Sequence, residues 1–308
     1  MTALFQFNVI AGILIAYVSN YLLREAGSEP WRFMLGVEAL PALAFFALLF
    51  FVPRSPRFLV KINQTEEAKR VLQRVGENNV DAEIAEIKED LLQGKTANPN
   101  IFSKQYIKPI TIAFLVAMFN QFSGINAILY YAPRIFELTG LSSSDSMFQP
   151  VMIGLTNLIF TMAGMIIIDK IGRKSLLIVG SVGMSICLGL ISRIFYLQDF
   201  SGVGILIYLL VYIVFFGFST GAVIWVLIAE VFPNNVRGQG QALGSFTHWF
   251  FAALITFLFP IISSTPLGSG YAFAFFSVMM VVQALVVWRY FPETKGKSLE
   301  ALGKELSN

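Results

Sequence analysis

Residues Gln121–Gly140 read QFSGINAILYYAPRIFELTG. Most of them lie inside one apolar run, Ile110–Phe136, which carries no Asp, Glu or Lys and only Arg134 near its end. That run is longer than the about 20 residues a helix needs to cross a bilayer. It nevertheless holds Asn120, Gln121, Ser123, Asn126, Tyr130 and Tyr131. Polar side chains are costly in hydrocarbon, and those that persist face a bundle interior or a wet cavity. Gly124 falls mid-run, and Pro133 removes a backbone donor near the outer end. A broken span that carries amides is the pattern of a helix lining a solute cavity.

Seven more stretches of this kind flank it, at Ala3–Leu23, Trp31–Val52, Phe148–Ile168, Leu176–Tyr196, Val203–Phe232, Gln241–Ile262 and Tyr271–Phe291. Numbered in chain order they are spans 1 to 8, with Ile110–Phe136 as span 3. The runs are continuous rather than alternating, which excludes the strands of a membrane barrel. The expected fold class is an all-α polytopic membrane protein with eight transmembrane helices. Composition agrees. The 308 residues are 56% hydrophobic and 13% charged, about half the charge of a soluble domain. Span 1 does not read as a signal peptide, because it lacks a basic start and holds Gln6 and Asn8.

Several function classes drop out. A lone cysteine, Cys187, excludes a disulfide framework, and a lone histidine, His248, leaves no metal-ligand set. A net charge of +3 without a basic-aromatic patch does not fit nucleic-acid binding. No phosphate loop or nucleophile constellation is present, so neither an enzyme nor a cofactor is expected.

Lys and Arg set the orientation. If residues 53–109 are cytoplasmic, that side holds 18 of the 22 basic residues, and the other side holds Arg24, Arg32, Arg134 and Arg193. The positive-inside rule then places both ends in the cytoplasm, as suits an integral multi-pass protein of the cell (inner) membrane. Residues 53–109 are the one sizeable hydrophilic stretch. Thr65 reads as the N-cap of a charged helix, and Asp81–Gln93 as an amphipathic helix with Ile84, Ile87, Leu91 and Leu92 on one face. Gly94–Pro99 reads as a loop. The stretch is either a solvated linker bundle or a latch packed under the membrane domain.

The polar residues of the spans are mostly uncharged. Span 1 adds Gln6, Asn8 and Asn20, span 4 Asn157, span 6 Trp225, and span 7 His248 beside Trp249. Amides donate and accept, and indoles pack on the C–H faces of a sugar ring. Such a lining suits a neutral polyhydroxyl solute and suits an ion poorly. The other reading is interhelical glue, at about 1 kcal/mol for each amide. Gly217 and Gly221 make a GxxxG spacing, read as close helix packing or as a hinge beside Trp225. Glu38 is the one acid well inside a span, either paired near the interface or coupled to protons. Where spans leave the membrane, Arg54, Arg57, Asp169, Arg173, Glu230, Arg237 and Glu293 recur. Bidentate Arg–carboxylate pairs among them fit a cytoplasmic gate, and they equally fit decoration without a role.

Five segments carry a family resemblance. They are PRSPRFLV (Pro53–Val60), QFSGINAILYYAPRIFELTG (Gln121–Gly140), DKIGRKSLL (Asp169–Leu177), WVLIAEVFPNNVRG (Trp225–Gly238) and FPETKGKSLEAL (Phe291–Leu302), with GILIAY in span 1. Their order and placement closely resemble the sugar porter family of the major facilitator superfamily. The resemblance implies monosaccharide or polyol transport by alternating access. It implies that residues 1–52 match the last two helices of an N-terminal half, 53–109 a cytoplasmic helical linker, 110–291 a complete six-helix C-terminal half, and 292–308 a cytoplasmic tail. The family's first four helices have no counterpart here, so the expectation is a fragment or truncated product that binds sugar weakly without completing a cycle. The alternative is a non-transporting sugar-binding or sensing protein, or an inactive remnant.

By position, the resemblance implies sugar hydroxyl contacts from Gln6, Gln121, Asn126 and Asn157. Tyr130 stands as a nearby wall or gate, Trp225 along the ring and Trp249 near the cavity floor. Asn120 stands where relatives carry Gln, His248 where they carry Asn or Gln, Ala222 where many carry Pro, and Arg54 where Glu is usual. Glu38 matches a Glu of proton-coupled symporters, which implies protons as a second partner. The solute and the oligomeric state are left open.

Overall fold

The computed structural model describes residues 2–77, 79–96, 100–137, 147–200, 204–233, 235–297, 302, 305 and 306. Every regular element among them is helical. Contacts divide the chain into two compact units, Met1–Pro30 with Ile101–Asn308, and Trp31–Asn100.

The larger unit contains α1 (Thr2–Leu23), a 3₁₀ turn at Lys104–Tyr106, α7 (Ile107–Phe122), α8 (Ile125–Glu137), α9 (Gln149–Ile171), α10 (Arg173–Leu197), α11 (Gly204–Phe216), a π-helical turn at Gly217–Gly221, α12 (Ala222–Glu230), α13 (Arg237–Ile262) and α14 (Pro266–Tyr290). Inside a bilayer, lipid is as apolar as leucine, so small residues and interhelical hydrogen bonds hold such helices together. The α10–α14 pair illustrates this. Ser185 Oγ donates to Ser277 O at 3.0 Å, Ser277 Oγ donates to Ser185 O at 2.8 Å, and Ser192 Oγ donates to Gly270 O at 2.7 Å. The partner numbers run in opposite senses, so the two helices are antiparallel. Two apolar clusters fill the interior. One centres on Phe136, Phe195, Tyr212 and Phe273, the other on Val116, Leu177, Ile228 and Phe232.

Among the described residues, eight helical segments are long and apolar enough to cross a membrane. They coincide with the eight expected spans, three of which are interrupted internally. Span 3 breaks at Ser123–Gly124, as the glycine foretold. Gly124 takes φ +82°, and a Cβ there would sit 2.5 Å from the Phe276 ring. Only glycine fits both constraints. Span 2 was expected to be one helix over Trp31–Val52. It is instead two, α2 (Pro30–Val37) and α3 (Ala39–Leu49). The cause is Pro41, which has no N–H to offer the Val37 carbonyl. Span 6 carries the π turn, which no residue pattern announced.

The smaller unit holds α2, α3, α4 (Pro56–Lys61), α5 (Thr65–Arg74) and α6 (Val80–Thr96). Helices α4 to α6 share a core of Leu59, Val60, Ala68, Val71, Leu72, Ile84 and Ile87. Thr65 is the first helical residue rather than an N-cap, and makes no cap bond. The reason lies upstream, where Asn63 at φ +63° ends α4. Its N–H donates to Val60 O and that of Gln64 to Leu59 O, which is a Schellman closure that leaves Gln64 to start α5. Helix α4 itself escaped the sequence reading, although Pro56 at its first turn signals a start. Helix α6 runs through Gly94 to Thr96, where a loop was expected, and residues 97–99 lie outside the described set.

Candidate functional site

The helix break at Ser123–Gly124 builds the site. It frees backbone groups that must be satisfied at membrane depth. Ser123 Oγ donates to Asn120 O at 2.6 Å and accepts from Ile125 N at 3.3 Å. Tyr212 Oη, from α11, donates to Ser123 O at 3.0 Å. With the backbone closed in this way, the side chains on either side of the break converge. Gln121 is fully buried and forms the hub. Its Oε1 accepts from Asn126 Nδ2 at 2.9 Å, and its Nε2 donates to Asn120 Oδ1 at 3.1 Å. The same Nε2 lies 3.2 Å from His248 Nδ1 and 3.1 Å from His248 Nε2. A neutral imidazole has a single acceptor nitrogen, so one of these two contacts is the hydrogen bond.

The His248 ring sits between two indoles. Its centroid is 5.0 Å from that of Trp225 and 5.1 Å from that of Trp249. Across the cavity, Asn157 is oriented by Thr161, whose hydroxyl donates to Asn157 Oδ1 at 3.2 Å. That leaves the Asn157 amide hydrogens for the cavity.

These residues line one hollow of about 660 Å³. Of the expected site residues, it brings together Gln6 from α1, Asn120 and Gln121 from α7, Asn126 and Tyr130 from α8, and Asn157 from α9. Gly221 from the π turn, Trp225 from α12, and His248 and Trp249 from α13 complete that set. Ile10, Ile125, Ile224 and Phe216 supply apolar wall. Tyr131, the neighbour of Tyr130, turns away and donates to Thr256 O at 2.8 Å. Asn8 is exposed and Asn20 half-buried, and neither is a lining residue. Two polar lining residues escaped the sequence reading, Gln241 and Ser245. The signal was present, since 241, 245, 248 and 249 share one face of α13.

Gly217 and Gly221 separate in role. A Cβ on Gly217 would lie 3.0 Å from Thr161 N, so that glycine serves close packing against α9. Gly221 is at the cavity wall. Glu38 and Arg57 fall in the smaller unit. Glu38 is exposed at the α2–α3 break, and Arg57 is exposed on α4.

A second cluster occupies the helix ends. Arg173 is buried and grips Glu230 with two bonds, Nη2–Oε1 at 2.7 Å and Nε–Oε2 at 3.2 Å. Its Nη1 lies 2.7 Å from Asp169 Oδ1. Thr294 Oγ1 donates to Glu230 Oε2 at 2.6 Å. Among the described residues, Glu293 takes no Arg side chain. It accepts from the backbone N–H of Arg173 at 3.0 Å and of Lys174 at 3.2 Å, where a carboxylate complements the positive end of α10. Gly172 makes room for it, at φ +100° with a Cβ position only 2.5 Å from Glu293 Oε2. Arg237 does not join the cluster. Its buried Nε and Nη2 have no hydrogen-bond partner among the described residues.

Residues 1–306 match the profile of the family described as "Sugar (and other) transporter". The chain belongs to the sugar transporter family. Among curated relatives, it is 34% identical over 309 residues to the D-xylose-proton symporter of Escherichia coli K12, a match covering 96% of this chain and 62% of that one. It is 33% identical over 312 residues to the arabinose-proton symporter of Bacillus subtilis 168, covering 99% and 67%. Solved structures agree. The inward-open xylose transporter XylE from E. coli superposes with a TM-score of 0.81 at 34% identity, covering 97% of this chain and 64% of that one. The major facilitator superfamily proton:xylose symporter XylE bound to 6-bromo-6-deoxy-D-glucose gives 0.79 at 33%, covering 99% and 66%. This member of the sugar transporter family thus has the major facilitator fold and is an integral multi-pass membrane protein. It spans about 62–67% of the length of the curated relatives named here.

Proposed function

We propose that this chain carries the sugar-binding part of an alternating-access transporter for a monosaccharide or polyol, coupled to protons in the whole protein. The observation that carries the reading is the hydrogen-bonded amide chain Asn120–Gln121–Asn126, with His248 on it and Trp225 beside it, at the wall of one hollow. A sugar hydroxyl is both donor and acceptor, as an amide is, and each ring carbon offers an apolar C–H to an indole. Among the described residues no Asp, Glu, Lys or Arg lines the hollow, which disfavours an ionic solute. Its volume lies inside the about 300–1,000 Å³ range of small-molecule sites.

In this reading Gln6, Gln121, Asn126, Asn157 and His248 hold hydroxyls, and Asn120 sets the orientation of Gln121. Trp225 and Trp249 stack on the ring, and Tyr130 stands at the rim. Gly221 lets the half-helix α12 tilt. Ala222 keeps an N–H that donates to Ser219 O, so the turn is held by its own backbone. The Arg173–Glu230–Asp169 cluster with Glu293 latches the cytoplasmic ends, with Arg237 as a further charge there, Arg57 is a cytoplasmic charge of the smaller unit, and Glu38 exchanges the coupled proton. Residues 1–52 and 110–291 are two portions of the transport domain joined by a cytoplasmic linker at 53–109, and 292–308 form a cytoplasmic tail. Both termini face the cytoplasm of the cell membrane, as the distribution of basic residues argues.

Binding of labelled D-xylose, D-glucose and myo-inositol to the purified chain tests this. Saturable binding of at least one, reduced tenfold or more by Gln121→Ala, is expected. Absence of saturable binding for every sugar contradicts the reading. Binding without uptake into vesicles made with this chain alone supports the sensing or binding alternative over transport by the chain itself.

A further inference from the structure

A separate hollow of about 410 Å³ lies on the outer side of α7 and α14, away from the central cavity. Ile112, Phe291 and Leu306 are buried at its base, and Leu115 lines its wall. Its mouth carries Lys108 and Tyr290, both exposed. Arg289 lies against the Tyr290 ring, with its guanidinium carbon 5.6 Å from the centroid. The groove therefore joins an apolar trough to one lining cation, Lys108, with a second, Arg289, beside the Tyr290 ring that lines it. Among the described residues, neither Lys108 nor Arg289 forms an ion pair and no acid lines the groove. Glu305, next to Leu306, is taken by Lys297 at 2.5 Å.

A second apolar groove of about 400 Å³ makes the contrast. It is lined by Phe122, Leu258, Tyr271 and Phe275 among others, and among the described residues no charged one lines it. That groove suits any acyl chain. The first one adds positive charge at headgroup depth, where each Lys or Arg near the surface favours anionic lipid by about fivefold.

We propose that the groove between α7 and α14 binds an anionic phospholipid. One acyl chain lies along Ile112, Leu115 and Phe291, and Lys108 and Arg289 hold the phosphate. Tyr290 braces Arg289 and faces the glycerol region, as aromatic residues do at membrane interfaces.

Native mass spectrometry of the purified 308-residue chain tests this, after incubation with equal amounts of phosphatidylglycerol and phosphatidylcholine of identical acyl chains. Retention of phosphatidylglycerol over phosphatidylcholine by at least about fivefold is expected. The double variant Lys108→Gln/Arg289→Gln abolishes that preference. Leu115→Trp fills the trough and lowers the number of retained phosphatidylglycerol molecules by one while the cations stay in place. Equal retention of the two lipids by the unaltered chain overturns the proposal, as does a preference that survives the double variant. Unchanged lipid counts in Leu115→Trp overturn it too. Helical circular dichroism of each variant confirms that the fold is intact.

Discussion

Tyr131 Oη donates to Thr256 O at 2.8 Å, and Thr256 stands four residues before Pro260. Pro260 has no N–H, so without Tyr131 the Thr256 carbonyl would be an orphan inside α13. The same device recurs at the other proline of the site. Pro133 leaves Leu129 O without its helical donor, and the Tyr17 hydroxyl of α1 takes it. Two prolines open two carbonyls, and two tyrosines from other helices close them. The site helices α1, α8 and α13 are thereby tied together around the hollow.

Tyr131→Phe is expected to lower stability by about 0.5–2 kcal/mol, the worth of one buried hydrogen bond in a membrane bundle. Pro260→Ala restores a helical N–H for Thr256 O. The double variant Tyr131→Phe/Pro260→Ala should therefore lose less than Tyr131→Phe alone. Thermal unfolding of the four proteins in detergent measures the coupling. A sum that is simply additive shows that the two residues do not share the carbonyl.

Gly124→Ala and Gly172→Ala place a Cβ where backbone conformation and neighbours forbid one. At Gly124 the obstacle is the Phe276 ring, and at Gly172 the Glu293 carboxylate. Strain of this kind costs about 1–3 kcal/mol at each position. Gly12→Ala is the control, because nothing lies within 4 Å of its Cβ position. Melting temperatures in detergent should fall for the first two and hold for the third.

At the charge cluster, burial decides which acid matters. The Glu230 side chain is 24% exposed and doubly bonded to Arg173, whereas that of Asp169 is 77% exposed. Glu230→Gln leaves a buried guanidinium short of charge and should cost about 2–4 kcal/mol, below the full cost of a wholly buried pair. Asp169→Asn should cost about 0–1 kcal/mol, as a surface pair does. Chemical denaturation of the two variants side by side checks the order.

In the smaller unit, Lys69 Nζ lies 2.8 Å from Asp81 Oδ1 and links α5 to α6. Their hydrogen bond and mutual charge hold the Asp81 carboxyl below its usual range and the Lys69 ammonium above its own. A lowered acid stabilises the folded unit above its unfolded titration point and loses that contribution as pH falls through the folded one. A raised base acts in the opposite sense at the alkaline end. Hydrogen-exchange protection of α5 and α6 should therefore hold across neutral pH and decline below about pH 4. Asp81→Asn should remove that part of the acid dependence.

Much of this was legible in the sequence. The eight spans announce themselves because lipid demands long continuous apolar runs, and the break at Gly124 because glycine and amides interrupt one. The hub of Gln121 and Asn126 followed from polar residues at membrane depth. Other features were hidden for physical reasons. The carbonyl partners of Pro133 and Pro260 come from residues 112 and 125 positions away from their hydroxyl donors. The π turn at Gly217–Gly221 reflects packing against α9, since Gly164 abuts the Phe218 backbone. Glu293 was grouped with the helix-end charges, either for Arg–carboxylate pairing or as decoration, and it caps α10 through backbone N–H groups, a partner that bears no residue-type signature. Gln241 and Ser245 share the face of His248, but near the end of a span a polar residue costs little and so carries little signal.

Tryptophan fluorescence tests the sugar site most directly. In a variant keeping Trp225 alone, with Trp31, Trp249 and Trp288 replaced by phenylalanine, D-xylose, D-glucose or myo-inositol should change the emission saturably, and Gln121→Ala/Asn126→Ala in that background should remove the response. Emission that stays flat with all three, or a saturable response that persists without both amides, contradicts a sugar site built on Gln121, Asn126 and Trp225.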